Sequence, residues 1–340
     1  MKLGLTIGTG GTSPRIDMDL ILEAERLGYD AVWTGEAYGT DAVTPATWVL
    51  ARTTRIKAGT GIMQMSARTP TCAGMTALTL QALSDNRFLC GIGPSGPQVI
   101  EGWHGVPYGK PLARTREYIS IIRKMVAREE PLTHQGEHYQ IPYTGPGASG
   151  LGKPLKSIVH GKPGLKFYTA SIMPAGLRLA GEIADGNIPI FMSPEAADAV
   201  VKPTLEGMAK AGGGKTLADF DIAPHVKVRV GDLDACRDAI RPELALYIGG
   251  MGAKSMNFHF DVFARMGYEE AATKIQELYL EGRKDEAAAA VPTSLVEETS
   301  LIGPIEKIRD DLEAWRESIA TTLLVSGDVT TLRTLAELVL

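Results

Sequence analysis

Cysteine is scarce in this chain. Cys72, Cys90 and Cys236 are far apart, odd in number and form no C-x-x-C pair. This excludes a disulfide framework and a zinc ribbon or finger, and Cys90, inside an apolar run, reads as a small core residue. Long apolar runs are missing too: nothing approaches the roughly 20 residues that cross a bilayer. The chain enters its first short apolar run at once, without the basic and apolar regions of a signal peptide. A cytoplasmic protein with no membrane partner is expected. Lys and Arg form no dense track and the formal net charge is −5, so nucleic acid is not an expected partner.

What is present is a repeating grammar. Short apolar runs at residues 2–7, 31–34, 56–61 and 88–93 each end in Gly or a small polar residue. Stretches of helical period lie between them at 17–27, 42–52 and 70–83. The first aligns Leu20, Ala24 and Leu27 and stops at Gly28. Strands alternating with helices of this length specify βα units and a parallel sheet, because parallel neighbours need a crossover. The pattern breaks at about 130–165, a Gly- and Pro-rich insertion with a hairpin whose second arm is 138–142. It resumes with strands at 166–170, 186–190, 220–230 and 321–326. Helices are predicted at 112–128, 174–182, 194–211, 233–248, 305–319 and 330–340, with Pro242 breaking or kinking the fourth. Residues 251–291 read as a helical excursion without a strand. Eight strands and no linker make the 340 residues one (β/α)8 TIM barrel with insertions.

In such a barrel the chemistry sits in the loops after the strands. After the second strand, Thr34-Gly35-Glu36-Ala37-Tyr38-Gly39 puts a carboxylate at the mouth. Glu36 is either a general acid/base or substrate anchor, or a solvated loop residue. After the third, Gly59-Thr60-Gly61-Ile62-Met63-Gln64-Met65 has glycines suited to a bulge or to close approach by a flat ligand. Met63 and Met65 there are ring cushions or, more commonly, plain core. After the fourth, Gly91-Ile92-Gly93-Pro94-Ser95-Gly96-Pro97 is Gly-rich without G-x-G-x-x-G spacing, as is Gly8-Thr9-Gly10-Gly11, which disfavours a Rossmann site.

The segment from Trp103 and His104 to Tyr108 carries ring and donor groups, and Lys110, Arg114 and Arg116 gather at a helix start, where an anion is favoured. His134 and His138 sit on the hairpin, so no metal is expected. His225 and Lys227 alternate with Val226 and Val228 and share one strand face. Inside the barrel they line a pocket; outside it they cover a helix. Ser326-Gly327-Asp328 offers a further donor set. No Ser/His/Asp or Cys/His nucleophile kit is present, which points to a borrowed cofactor.

Taken in order, Leu27-Gly28-Tyr29-Asp30-Ala31-Val32-Trp33, Gly59-Thr60-Gly61-Ile62, Asn86-Arg87-Phe88 with Gly91-Ile92-Gly93, and Ala184-Asp185-Gly186 resemble the bacterial-luciferase-like superfamily. Gly35-Glu36-Ala37-Tyr38-Gly39, Ser95-Gly96-Pro97-Gln98-Val99 and the run from Gly109 to Glu117 are similar to its branch of oxidoreductases that use the deazaflavin coenzyme F420. The resemblance reaches Gly303-Pro304. It implies the barrel, a cofactor at the C-terminal strand ends and a non-prolyl cis peptide at Gly61–Ile62 behind the ring. It also implies a phosphate or ribityl chain near Gly93, Pro94, Ser95 and Gly96 and near Ala170, Ser171, Ile172 and Met173. Met63, Lys110 and Arg114 complete the expected cofactor set.

The implied reaction is hydride transfer between the deazaflavin C5 and a small organic substrate. Glu36 is the first acid/base candidate, with His104 and Tyr108 behind it. The superfamily's sugar-phosphate dehydrogenases carry a His after the second strand and a Glu after the fourth. Glu36 and Gly96 stand there instead, so that proton machinery is not carried over. One alternative is an FMN-dependent monooxygenase using reduced flavin and oxygen; another is a cofactor-binding protein without turnover. Lys110, Arg114, Lys153 and Lys156 favour the cofactor with the longer anionic tail. The insertion is expected to close over the site, and a homodimer is compatible with the resemblance.

Overall fold

Gly4, Trp33, Gly59 and Tyr168 explain how the sheet of this protein curls. In the computed structural model, which describes every residue except 9–11, 162–163, 253 and 255, the first strands are β1 (Lys2–Ile7), β2 (Ala31–Thr34), β3 (Lys57–Thr60), β4 (Met63–Gln64) and β5 (Phe88–Gly93). A hairpin, β6 (His134–Gln135) and β7 (Gln140–Ile141), forms inside the insertion. Then follow β8 (Phe167–Thr169), β9 (Gly186–Asn187), β10 (Asp221–Ile222), β11 (His225–Val230), β12 (Ser300–Gly303) and β13 (Thr322–Ser326). The parallel order is β10-β9-β8-β5-β3-β2-β1-β13-β11-β12, with β4 beside β5. An Ile190–His225 bridge joins the end of β9 to β11, which also pairs with β13, and so closes the barrel.

Strand alternation sorts the side chains. Leu3, Leu5, Val32, Ala58, Cys90, Val226 and Val325 face outward into the layer under the helices. Cys90 is fully buried, and burial pushes its thiol up to about 12. Ala31, Trp33, Tyr168, Ile188, Ala223 and Leu324 fill the interior. The glycines make room for Trp33: a Cβ at Gly59 would lie 2.6 Å from its ring, and one at Gly4 2.6 Å from Leu324. Trp33 meets Tyr168 edge-on at 5.0 Å. Below them the Tyr168 hydroxyl donates to Asp221 at 2.8 Å. Asp221 also takes bonds from Lys2, Thr321 and Thr322. Burial alone would raise the Asp221 carboxyl, but Lys2 and these hydroxyls outweigh it and hold it below the ordinary range. The lower end is thus plugged, and the open end lies above Trp33.

Several expectations change. The predicted strand 220–230 is two strands, because Pro224 between them has no N–H to donate. Ser300–Gly303 is a strand that the sequence reading lacked; it pairs along the far edge of β11, Lys227 with Ser300. The helix Leu233–Gly249 runs through Pro242 rather than stopping there. The helices Phe258–Phe263, Glu269–Leu280 and Lys284–Ala289 share a second core with Phe191, Ile240, Leu244 and Ile248. The hairpin is stapled by the Glu117 carboxylate, which accepts from the N–H groups of Glu137, His138 and Tyr139 and meets His134 Nε2 at 3.1 Å. Among the described residues no helix is long and apolar enough to cross a membrane.

Candidate active site

At the open end, β3 and β5 part company. Ala58 and Gly59 pair with Phe88 and Leu89. Beyond them the Thr60 hydroxyl replaces a ladder partner, donating to Gly91 O at 2.8 Å and accepting from Gly91 N at 3.0 Å. The Gly61–Ile62 peptide follows in the cis form, and the chain rejoins β5 as Met63 pairs with Ile92 and Gln64 with Gly93. The result is a bulge at the strand end. Ile62 is half-buried on it, lying across Gly93, where a Cβ would come within 2.9 Å of Ile62 Cγ1. Met63 is fully buried in the layer under the helices. Its side chain packs in the core, the commoner of the two expectations for it.

Glu36 reaches this bulge from the end of β2. Its Oε2 accepts from the Gln64 N–H at 2.7 Å, and Arg68 Nη1 bonds both oxygens at 3.0 and 2.8 Å. The side chains of Glu36 and Arg68 are 8% and 17% exposed, so the carboxylate is held in a nearly buried ion pair. Burial would lower the Arg68 guanidinium, but Glu36 and Asp41 raise it above its ordinary value. The Tyr118 hydroxyl donates to Arg68 O at 3.1 Å.

His104 joins the same chain of bonds through its Nε2, 2.5 Å from Gln64 Oε1. Gln64 and Arg68 are thus the residues that sequence reasoning did not single out: Gln64 lies inside the Gly59–Met65 motif without being marked by it, and no motif includes Arg68. Tyr108 is half-buried, its N–H donates to Glu101 at 3.2 Å, and burial raises its phenol. Lys110 pairs with Glu137 on the hairpin at 2.7 Å, and Arg114 donates to Pro107 O at 3.1 Å. Both cations therefore have protein partners. Of the remaining lysines, Lys156 donates to Glu129 O.

Pro94, Ser95 and Gly96 continue from β5 into the helix Pro97–Gly102, with Ser95 at φ 59° in the left-handed region. Ala170, Ser171, Ile172 and Met173 lead from β8 into the helix Pro174–Ile183. Asn187 fixes this turn: its Oδ1 accepts from Ser171 N and Thr169 Oγ1, and its Nδ2 donates to Ser171 O. Ala170 is exposed, and the other three are half-buried.

His225 settles its own alternative. Val226 and Val228 belong to the outer layer, so His225 faces the interior, 3.5 Å from Thr6 Oγ1. Burial, with Lys227 second, lowers it to about 4. Lys227 pairs with Glu243 at 2.8 Å. Asp328 caps the last helix through Thr331, which accounts for the Ser326–Asp328 motif. Residues 9–11 of the first glycine loop lie outside the described residues.

The family model of the luciferase-like monooxygenases matches residues 2–322. The chain belongs to that family. A Mycobacterium tuberculosis protein, provisionally named a coenzyme F420-dependent oxidoreductase, is 44% identical over 343 residues, covering 100% of this chain and 99% of that one. The F420-dependent tetrahydromethanopterin reductase of Methanopyrus kandleri superposes with a TM-score of 0.79 at 21% identity, covering 99% and 97% of the two chains. An F420-dependent secondary alcohol dehydrogenase bound to an F420–acetone adduct gives a TM-score of 0.75 at 16% identity, covering 99% and 98%. At these identities the two structures speak for the shared fold. The protein is an enzyme of the luciferase-like family.

Proposed function

We propose that this enzyme is an F420-dependent oxidoreductase acting on a small organic substrate. The full-length likeness to the M. tuberculosis protein carries the reading. The residues present fit the cofactor. Ile62 on its bulge offers a half-buried apolar platform for a flat ring, and Gly93 is bare because that platform occupies the space a side chain would need. The helix Pro174–Ile183 starts with neither a side-chain cap nor an acidic residue in its first turn. Its free N–H groups and the Ser171 hydroxyl suit a phosphate. Gly61, Ile62, Pro94, Ser95, Gly96 and 170–173 are accordingly the proposed cofactor contacts.

A deazaflavin supplies a two-electron hydride donor or acceptor at C5 that reacts poorly with oxygen. The protein holds the ring, orients the substrate carbon and manages one proton. His104 takes that last role, with Tyr108 nearby in the chain. Glu36, fixed by Arg68, keeps the bulge and Gln64 in place. Titrating the protein into F420 while following cofactor fluorescence tests the platform. Saturable binding by the wild type and its loss in Gly93→Val, in variant protein shown to be folded by its circular dichroism spectrum, is the expected result. Equal binding by both would remove the cofactor from the bulge.

A further inference from the structure

We infer that Gln64 fixes the tautomer of His104 and thereby makes Nδ1 the atom that exchanges a proton with substrate; this rests on the F420-dependent reading above. The hydrogens around Gln64 decide this. Gln64 is fully buried. Its Nε2 donates to two backbone oxygens, Glu36 O and Ala37 O, each at 3.0 Å. Both amide hydrogens are then spent. The flipped amide would set its oxygen against two carbonyl oxygens, with no hydrogen among them. The orientation is therefore forced, and Oε1, which can only accept, is what faces His104.

The contact is 2.5 Å. Two acceptors do not approach so closely, so Nε2 of His104 must carry a hydrogen. A neutral imidazole has one N–H, which leaves the lone pair on Nδ1. Nδ1 makes no hydrogen bond among the described residues and is not a buried orphan, so it is open to a ligand. Gln64 cannot swing away. Its own N–H is held by Glu36, which Arg68 grips through both oxygens.

This arrangement balances in either direction. When the substrate is reduced, its carbon gains a hydride, and the electron pair displaced onto its oxygen or nitrogen takes the Nδ1 proton of an imidazolium. The substrate gains two electrons and two hydrogens, and His104 returns to the neutral form with hydrogen on Nε2. In oxidation, the Nδ1 lone pair removes the proton from oxygen or nitrogen as the hydride leaves carbon. The hydrogen on His104 Nε2 stays in its bond to Gln64 Oε1 throughout. Gln64 is a positioning residue, and it selects substrates whose reacting bond carries one exchangeable proton.

Long-range 1H–15N correlation on 15N-histidine protein at mildly alkaline pH tests this, with His104 assigned by its loss in His104→Gln. The expected spectrum shows Nε2 protonated and Nδ1 bare, and Gln64→Leu shows a mixture of tautomers. A wild-type spectrum with hydrogen on Nδ1 overturns the inference, as does Gln64→Leu that keeps the pure Nε2–H form. If that variant does not fold, the wild-type spectrum alone decides. An F420 titration on the same sample separates the two ideas. Binding together with Nδ1–H sinks the tautomer assignment alone. An Nε2–H spectrum without F420 binding sinks the proton role with the function proposed above.

Discussion

Glu36 and His104 are joined through Gln64 in one hydrogen-bonded chain and are assigned different work. Glu36→Ala strands the nearly buried Arg68, and losing one partner of such a pair costs about 3 kcal/mol. Urea unfolding without cofactor should show that loss. His104→Ala should cost about 1–3 kcal/mol, because it leaves the buried Gln64 oxygen without its donor. Turnover of any accepted substrate should fall about 100-fold or more, the usual worth of a general acid/base, with F420 affinity retained. If Glu36→Ala were stable and inactive, Glu36 would be the proton donor after all. The placing of Glu36 at the mouth was legible, because it follows a strand. Its engagement was not: Arg68 lies 32 residues on, in a stretch with no periodicity or motif to pair them. Gln64 was invisible for the same reason.

At the scale of elements, the β3–β4 bulge depends on one hydroxyl. Thr60→Val would leave the Gly91 N–H and C=O without that partner, at a cost of about 1–3 kcal/mol, readable as a lower urea midpoint at constant m-value. The helical excursion and β11 give a pH dependence. Burial lowers His259, packed edge-on against Phe191 and Tyr247, to about 4, and His225 likewise. Both folded values lie below the unfolded value of 6.5. Stability is therefore full above about 6.5 and is lost as pH falls towards about 4. One such group contributes up to about 3 kcal/mol. Unfolding midpoints at pH 7.5 and 5 should differ in that sense, and the difference should shrink in His259→Phe. The alternation of strands and helices was readable because parallel strands buried on both faces become short apolar runs. Ser300–Gly303 escaped because four residues with one Ser and one Gly carry no period. Of the two expectations for Pro242, a break is excluded: the packing of Ile240, Leu244 and Ile248 against the excursion keeps the helix going past it.

For the molecule as a whole, Trp33 and the Asp221 cluster close one end of the barrel and leave the other for chemistry. Asp221→Ala should cost several kcal/mol, about 3, because it strips four donors of a buried acceptor. The melting temperature should drop without a change in the residual cofactor affinity of folded protein. That a barrel of this family would form was legible from motif order along nearly the whole chain. The filling of its interior was not, since Gly4, Gly59 and Trp33 are distant in sequence and signal only through their contact.

Cofactor choice is the central property of this enzyme. Parallel equilibrium titrations with F420 and FMN, at one pH and salt, would decide it. A Kd for F420 on the order of micromolar, about −8 kcal/mol, with FMN at least about tenfold weaker, a difference of 1.4 kcal/mol, is the result expected. Tighter binding of FMN, or no binding of F420, would contradict it and leave a flavin-dependent monooxygenase as the working description.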